Sequence, residues 1–193
     1  SGINDAPVAV AINGSGIEGG TITTTLTATD VDDSNSAGFN FSIVSQPTNI
    51  TGSVNIGSVS YSSGTFTADA TYTHDDTETS SDSFTYKTND GDDDSNTATA
   101  TITITTINDA PVAADVSGSG TEGGTITTTL TATDVDDTDP TNFFSIVTQP
   151  LNSANDNDVV IGTVSYASGT FTAVATYTHD DTQTTNDSFT YKA

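Results

Sequence analysis

Among its 193 residues the chain has no cysteine, no methionine, no tryptophan and no arginine, and only two lysines, Lys87 and Lys192. Without cysteine there is no disulfide framework and no thiolate metal site, so stability must come from a core, from neighbours or from bound cations. Without arginine and with two lysines, a phosphate backbone has almost nothing to replace its counterions, which excludes nucleic acid as a partner and argues equally against anionic membrane surfaces. No apolar run approaches the ~18 residues of a membrane span, so membrane insertion is not expected. The start carries neither the charged head nor the apolar run of a signal peptide, and the sequence reads as the interior of a longer chain. No Ser-His-Asp arrangement, Gly-rich phosphate loop or zinc spacing is present. Paired carboxylates would suit a glycosidase, but the aromatic platforms of a sugar cleft are missing. We expect no enzymatic activity.

What is present is written twice. Ile3-Asn4-Asp5-Ala6-Pro7 returns as Ile107-Asn108-Asp109-Ala110-Pro111, and Glu18-Gly19-Gly20 as Glu122-Gly123-Gly124. Thr29-Asp30-Val31-Asp32-Asp33 returns as Thr133-Asp134-Val135-Asp136-Asp137, and Tyr72-Thr73-His74-Asp75-Asp76 as Tyr177-Thr178-His179-Asp180-Asp181. The displacement drifts from 104 to 103 and 105, as small loop insertions and deletions between domain copies produce. Two domains are expected, at 1–106 and 107–193, each large enough for one modest core.

Helix signals are absent, while Thr, Val, Ile, Phe and Tyr abound in period-two alternation. Ile22, Thr24, Leu26 and Ala28 share one face of a strand, and so do Phe66, Ala68, Ala70, Tyr72 and His74 of another. Ala98, Ala100, Ile102 and Ile104 alternate with Thr. Seven strands are predicted in the first copy, at about 8–12, 21–29, 39–44, 53–61, 65–73, 83–88 and 97–106, here called A to G. Separated by Gly, Asn, Asp and Pro turns, they predict an all-β chain of two tandem Greek-key, Ig/cadherin-like β-sandwiches. The second copy stops at the counterpart of strand F and lacks the last strand. It is expected to be part of a longer array, or to take its last strand from another copy.

The formal charge is −24, and of 26 acidic residues only Glu18, Glu78 and Glu122 are Glu. Asp favours turns and gives a short carboxylate suited to loop-borne oxygen sites for hard cations. In a seven-strand sandwich the loops alternate between two ends. One end of the first domain should gather Asn4, Asp5, Asp30, Asp32 and Asp33 with Asp90, Asp92, Asp93 and Asp94. The other should gather Glu18, Asp75, Asp76 and Glu78, and hand over to Asn108 and Asp109, where the second domain brings Asp134, Asp136 and Asp137. Two carboxylates ~5 Å apart repel by roughly 1 kcal/mol in water and by a few kcal/mol at an effective dielectric near 20. Lys87 is placed in strand F and not expected to offset this. Such a junction calls for a cation, and oxygen-only ligands select Ca²⁺.

The motifs "INDAP", "EGG" and "ATDVDD" resemble the cadherin-like, VCBS-type tandem repeats of giant RTX-type bacterial surface adhesins, over essentially the whole chain. The linker also resembles the animal cadherin "DxNDNAP" junction. The resemblance implies that Glu18, Asn108, Asp109, Asp134 and Asp136 share calcium ions. This chain departs from the cadherin pattern in having E-G-G, "HDDTE" in place of "DRE", and Thr106-Ile107 before the linker Asn. Its implied role is a calcium-stiffened extender at the bacterial cell surface, its partners being the neighbouring repeats of the same chain. A filament subunit completed by strand addition from other copies, and a calcium-dependent carbohydrate-binding module, are the alternatives.

His74 and His179 end equivalent strands just before Asp-Asp, and each is expected to bond a nearby carboxylate. Phe84, Tyr86, Phe189 and Tyr191 are read as core. The outward Thr row of Thr21 to Thr29 is read as a solvated face, with ice binding or glycosylation the less ordinary uses of such a row.

Overall fold

The computed structural model describes residues 3–154 and 158–193. The chain divides into two compact units, Ser1–Ile107 and Asn108–Ala193.

In unit 1 the strands are β1 (Val8–Ala9), β2 (Ile12–Ile17), β3 (Thr21–Thr29), β4 (Asn40–Ser45), β5 (Ile50–Ile56), β6 (Ser60–Ser62), β7 (Thr65–His74), β8 (Ser81–Asn89) and β9 (Ala98–Thr105). One sheet has the order β1-β3-β7-β5, with β6 also on β7; the other has β2-β9-β8-β4. The alternation read from the sequence is the alternation of burial: Ile22, Thr24, Leu26 and Ala28 of β3 are buried, as are Phe66, Ala68, Ala70, Tyr72 and His74 of β7. Ala98, Ala100, Ile102 and Ile104 of β9 close the opposite sheet, each at most 5% exposed. At ~1.5–3 kcal/mol per buried large aliphatic side chain, the two isoleucines alone contribute much of what β9 adds.

Strands A and D each prove to be two segments. β1 pairs antiparallel with β3, but β2 pairs parallel with β9 in the other sheet. The chain crosses between sheets at residues 10–11, held by Val10 N–H donating to Thr27 O at 3.0 Å and by the Tyr86 hydroxyl, which donates to Val10 O. β2 reads Ile-Asn-Gly-Ser-Gly-Ile, and its glycines are there for closeness. A Cβ on Gly14 would lie 2.9 Å from Ile102 Cδ1 and from Thr24 Oγ1. The expected strand D is broken at 57–59, where Gly57 N–H turns to Asp69 O at 2.8 Å. Phe39, just outside β4, is 4% exposed and stacks on Phe66 with ring centroids 3.8 Å apart.

Unit 2 repeats the first sheet with β10 (Val112–Ala113), β11 (Thr125–Thr133), β13 (Val160–Ile161), β14 (Ser165–Ala167) and β15 (Thr170–Thr178). Its order is β10-β11-β15-β13, with β14 on β15. The second sheet is reduced to β12 (Ser145–Thr148) paired with β16 (Thr190–Lys192). No counterpart of β9 occurs among the described residues. Its neighbours have also lost their pairing: 116–121, the counterpart of β2, forms one isolated bridge, Ser119 to Thr127, and 186–189, matching the first half of β8, is not a strand.

Candidate metal centre

At the upper end of unit 1, three loops bring their carboxylates together around backbone N–H groups. Asp30 ends up just beyond β3 and folds back on its own loop: its Oδ1 accepts from Asp32 N–H at 2.8 Å and Asp33 N–H at 3.0 Å. Asp32 Oδ2 in turn accepts from Asp5 N–H at 2.8 Å, tying the incoming chain to the β3–β4 loop. Asp90, in the β8–β9 loop, repeats the turn with Asp92 N–H and Asp93 N–H, both at 2.7 Å. Asn4 Nδ2 donates to Asp90 Oδ2 at 3.0 Å and Asp93 Oδ2 at 3.3 Å. Such side-chain-to-backbone turns are what Asp does best. Asp30 Oδ2 is buried with no hydrogen-bond partner.

The electrostatics follow from this crowding. Burial first, then the charges of Asp30, Asp90, Asp32 and Asp92, push Asp33 above the usual carboxylate range. Asp90 is held below it, chiefly by the Asp93 N–H, and Asp94 likewise by Lys87. Lys87 was read only for the junction at the other end of the unit, and its pairing here is an addition to that reading. Lys87 does lie in β8, and its Nζ reaches across the hairpin to Asp94 Oδ2 at 2.5 Å, while Asn89 Nδ2 donates to Asp94 Oδ1 at 3.0 Å.

At the lower end of unit 1, the Glu18-Gly19-Gly20 turn meets the β7–β8 loop, with His74 N–H donating to Gly20 O at 3.0 Å. Gly19 takes φ +61°, and a Cβ there would collide with the Asp76 carboxylate. Asp76 itself sits at φ 69°, a left-handed position that Asp tolerates. Glu18 is 2% exposed; its Oε1 accepts the Ile107 N–H, and its Oε2 is buried without a partner. A buried, half-satisfied carboxylate is costly unless a cation or proton completes it. Asp75 accepts from Thr77 Oγ1 at 2.8 Å. His74 departs from its expected carboxylate bond. Its Nε2 lies 3.1 Å from Thr79 Oγ1, whereas its Nδ1 is 3.9 Å from Asp75, too far for a hydrogen bond. His179 repeats this, at 2.9 Å from Thr184 Oγ1 and 3.7 Å from Asp180.

Unit 2 builds the same upper loop from the same letters. Asp134, 9% exposed, accepts from Asp136 N–H at 2.9 Å and Asp137 N–H at 2.8 Å. Asp136 Oδ2 accepts from Asp109 N–H at 2.5 Å, and carboxylate oxygens of Asp109 and Asp136 lie within 4.8 Å of one another. Asn108 Nδ2 is turned to Asp109 O at 2.7 Å. The lower end differs: Glu122 is exposed and bonds the Gln183 amide.

Two repeated features escaped the reading of the sequence. Asp82, 8% exposed, accepts from Thr48, Asn49 and Ser83 N–H groups at 3.1, 3.2 and 2.7 Å, and Asp187 does the same for Leu151, Asn152 and Ser188 at 3.1, 3.0 and 2.8 Å. These are loop-organising carboxylates, and the signal was the shared Asp-Ser-Phe-Thr-Tyr-Lys. The Tyr86 and Tyr191 hydroxyls tie the first strand of each unit to the next, donating to Val10 O and Ala114 O. No aromatic residue is among the exposed large hydrophobic side chains of the described residues.

Solved structures similar to this chain include the adhesin InvE of Yersinia pseudotuberculosis, at 17% identity and a TM-score of 0.33, over 96% of this chain and 58% of that one. Extracellular cadherin domains 3–6 of protocadherin gamma B2 match at 14% identity and 0.40, over 88% and 38%. A marsupial T cell receptor matches at 10% identity and 0.30, over 97% and 94%. The chain therefore spans less than two thirds of the InvE and protocadherin chains. No curated protein matches it. The bacterial Ig domain family matches residues 4–105 and again 108–193. Two all-β units, each spanned by one such match, make this chain a tandem pair belonging to the bacterial Ig domain family.

Proposed function

We propose that the pair is an extender module of a long extracellular bacterial adhesin or fibre of the cadherin-like, VCBS type, in which Ca²⁺ stiffens the segments joining successive repeats. The supporting observation is the twice-built upper loop. In both units the Asp that precedes the first strand is bound through its N–H to the second Asp of an Asp-x-Asp, which is itself organised by the first. A divalent cation accepted by Asp109, Asp134 and Asp136, and by their counterparts Asp5, Asp30 and Asp32, would fix the joining segment to the unit that follows it. It would also offset the carboxylate charges that, after burial, raise Asp33. The unpartnered Glu18 Oε2 offers a second ligand of the same chemistry at the other end of unit 1.

The test is calcium titration followed by calorimetry, in EDTA and in millimolar Ca²⁺ at matched ionic strength. Extracellular modules hold Ca²⁺ with Kd of roughly 0.1–1 mM. At ten times Kd one site adds about 1.4 kcal/mol, seen as a higher Tm. Asp109→Ala with Asp136→Ala is expected to abolish the gain from the unit 2 loop while leaving both cores folded. Equal melting with and without calcium overturns the reading.

A further inference from the structure

We propose that Asn96 is the positioning residue of the upper loops of unit 1: its side-chain amide fastens the β8–β9 loop to the segment entering β1, so that the carboxylates of both stand ready for a divalent cation. The inference rests on the reading of those loops as a cation site. Asn96 stands just before β9, and its amide grips a single residue of β1 at two points. Its Oδ1 accepts from Ala9 N–H at 3.1 Å, and its Nδ2 donates to Ala9 O at 3.0 Å. Ala9 pairs with Ala28 of β3. In an extended strand successive residues turn their N–H and C=O to opposite sides. Val10 N–H goes to Thr27 O of β3, so Ala9 turns its own pair the other way, where the Asn96 amide meets it as a neighbouring strand would. Ala9 is 4% exposed, and backbone groups so buried need partners.

The ties between the entering segment and the loops differ in the atoms they use. Asp5 N–H goes to Asp32 Oδ2, and Asn4 Nδ2 to Asp90 Oδ2 and Asp93 Oδ2. Both use carboxylate oxygens, the atoms a hard cation takes. The Asn96 tie uses none, and a neutral amide adds no charge to a crowd of Asp. It therefore holds alike with the ion bound and without it. The loop is braced on its other flank as well. Ser95 N–H donates to Thr88 O, and Ser95 Oγ accepts from Thr88 N–H, both at 2.9 Å. Ser95 thus keeps the hairpin closed, while the adjacent Asn96 sets where the hairpin sits against β1. Between these two anchors Asp90 and Asp93 are kept beside Asn4 before any ion arrives. A site whose loops are already placed binds more tightly than one whose loops must be ordered on binding.

The experiment compares the intact chain with Asn96→Ala by NMR, well below melting, in EDTA and through a titration with calcium chloride. In EDTA the backbone order parameters at Asp92 and Asp93 are expected to fall from rigid values near ~0.85 to below ~0.6 in the variant, with Thr85 and Tyr86 of β8 unchanged. In the titration the Kd read at the Asp32, Asp33, Asp92 and Asp93 amides is expected to rise at least ~fivefold, while the Kd read at Asp136 and Asp137 of unit 2 stays as it was. Asp82→Asn, which weakens the contacts to Thr48 and Asn49, is the control for lost stability: it is expected to lower Tm and to leave both Kd values alone. The proposal is overturned if the order parameters hold in Asn96→Ala, if its unit 1 Kd equals that of the unaltered chain, or if Asp82→Asn raises that Kd as much. No saturable calcium shift in the unaltered chain overturns the calcium reading, and this role with it. The order parameters in EDTA tell the two failures apart, because they test the grip on Ala9 without the ion.

Discussion

The two units share nearly one sequence, yet one is a closed sandwich and the other is half of one. Ile22 and Ile126, Phe84 and Phe189, Tyr86 and Tyr191 are the same residues at the same places, and their burial differs because β9 covers the first of each pair. Residues 12–17 are a strand and 116–121, with closely similar letters, are not. A strand, on this comparison, is a property of its partner as much as of its own propensity. Glu18 and Glu122 make the point chemically. Glu18 is buried because the chain leaving β9 presents Ile107 N–H to it, whereas Glu122 turns outward to Gln183.

The largest expected contrast is in the core. Ile22→Ala should cost unit 1 about 3 kcal/mol, within the usual range for a buried large-to-small change, whereas Ile126→Ala should cost unit 2 about 1 kcal/mol. Denaturant unfolding with unit-resolved NMR signals measures both, and equal losses would break the comparison.

The next contrast concerns the two glutamates. Glu18→Ala in calcium-free buffer removes the carboxylate acceptor of the part-buried Ile107 N–H and should cost roughly 1–3 kcal/mol, less whatever relief comes from losing a half-satisfied carboxylate. Glu122→Ala lies on the surface and should stay within about 0.5 kcal/mol. A silent Glu18→Ala would mean that the desolvation cost of the buried carboxylate cancels what its hydrogen bond contributes.

How far these differences were legible depends on their range along the chain. The alternating faces of β3, β7 and β9 are local and were readable letter by letter, as was the gathering of Asp5, Asp32 and Asp90 at one end, which follows from strand parity. The crossing of the first strand between sheets was not, because Val8 to Ile17 alternates weakly and its glycines look like loop residues until Ile102 and Thr24 stand against them. Neither was the burial of Glu18, which depends on a backbone N–H at residue 107. Lys87 was read by its strand and not by its reach, so its pairing with Asp94 across the hairpin was missed.

The smallest effect is one of pH, within the upper loops of unit 1. Asp33 binds its proton more tightly in the folded chain than in the unfolded one, so its contribution favours folding at low pH and is lost as pH rises through its raised folded value. Asp90 and Asp94 act oppositely: their contribution is full above the ordinary carboxylate value and disappears as pH falls through their lowered ones. Carboxyl-carbon NMR titration should therefore find Asp33 protonating first on acidification and Asp90 and Asp94 last. Saturating calcium, if it binds there, should erase the lead of Asp33.

The parallel pairing of β2 with β9 has a consequence for a molecule under tension. β2 stands near the start of unit 1 and β9 at its end, and because they run the same way, pulling on the two ends of the unit drags them in opposite directions along a common axis. The six paired positions from Ile12–Ala100 to Ile17–Thr105 are then loaded in shear together and cannot be unzipped one by one. Rupture under load is governed by the rate of crossing the unfolding barrier and not by equilibrium stability. The glycine strip that lets β2 lie so close to Ile22 and Ile102 is thus the place where unit 1 would bear force.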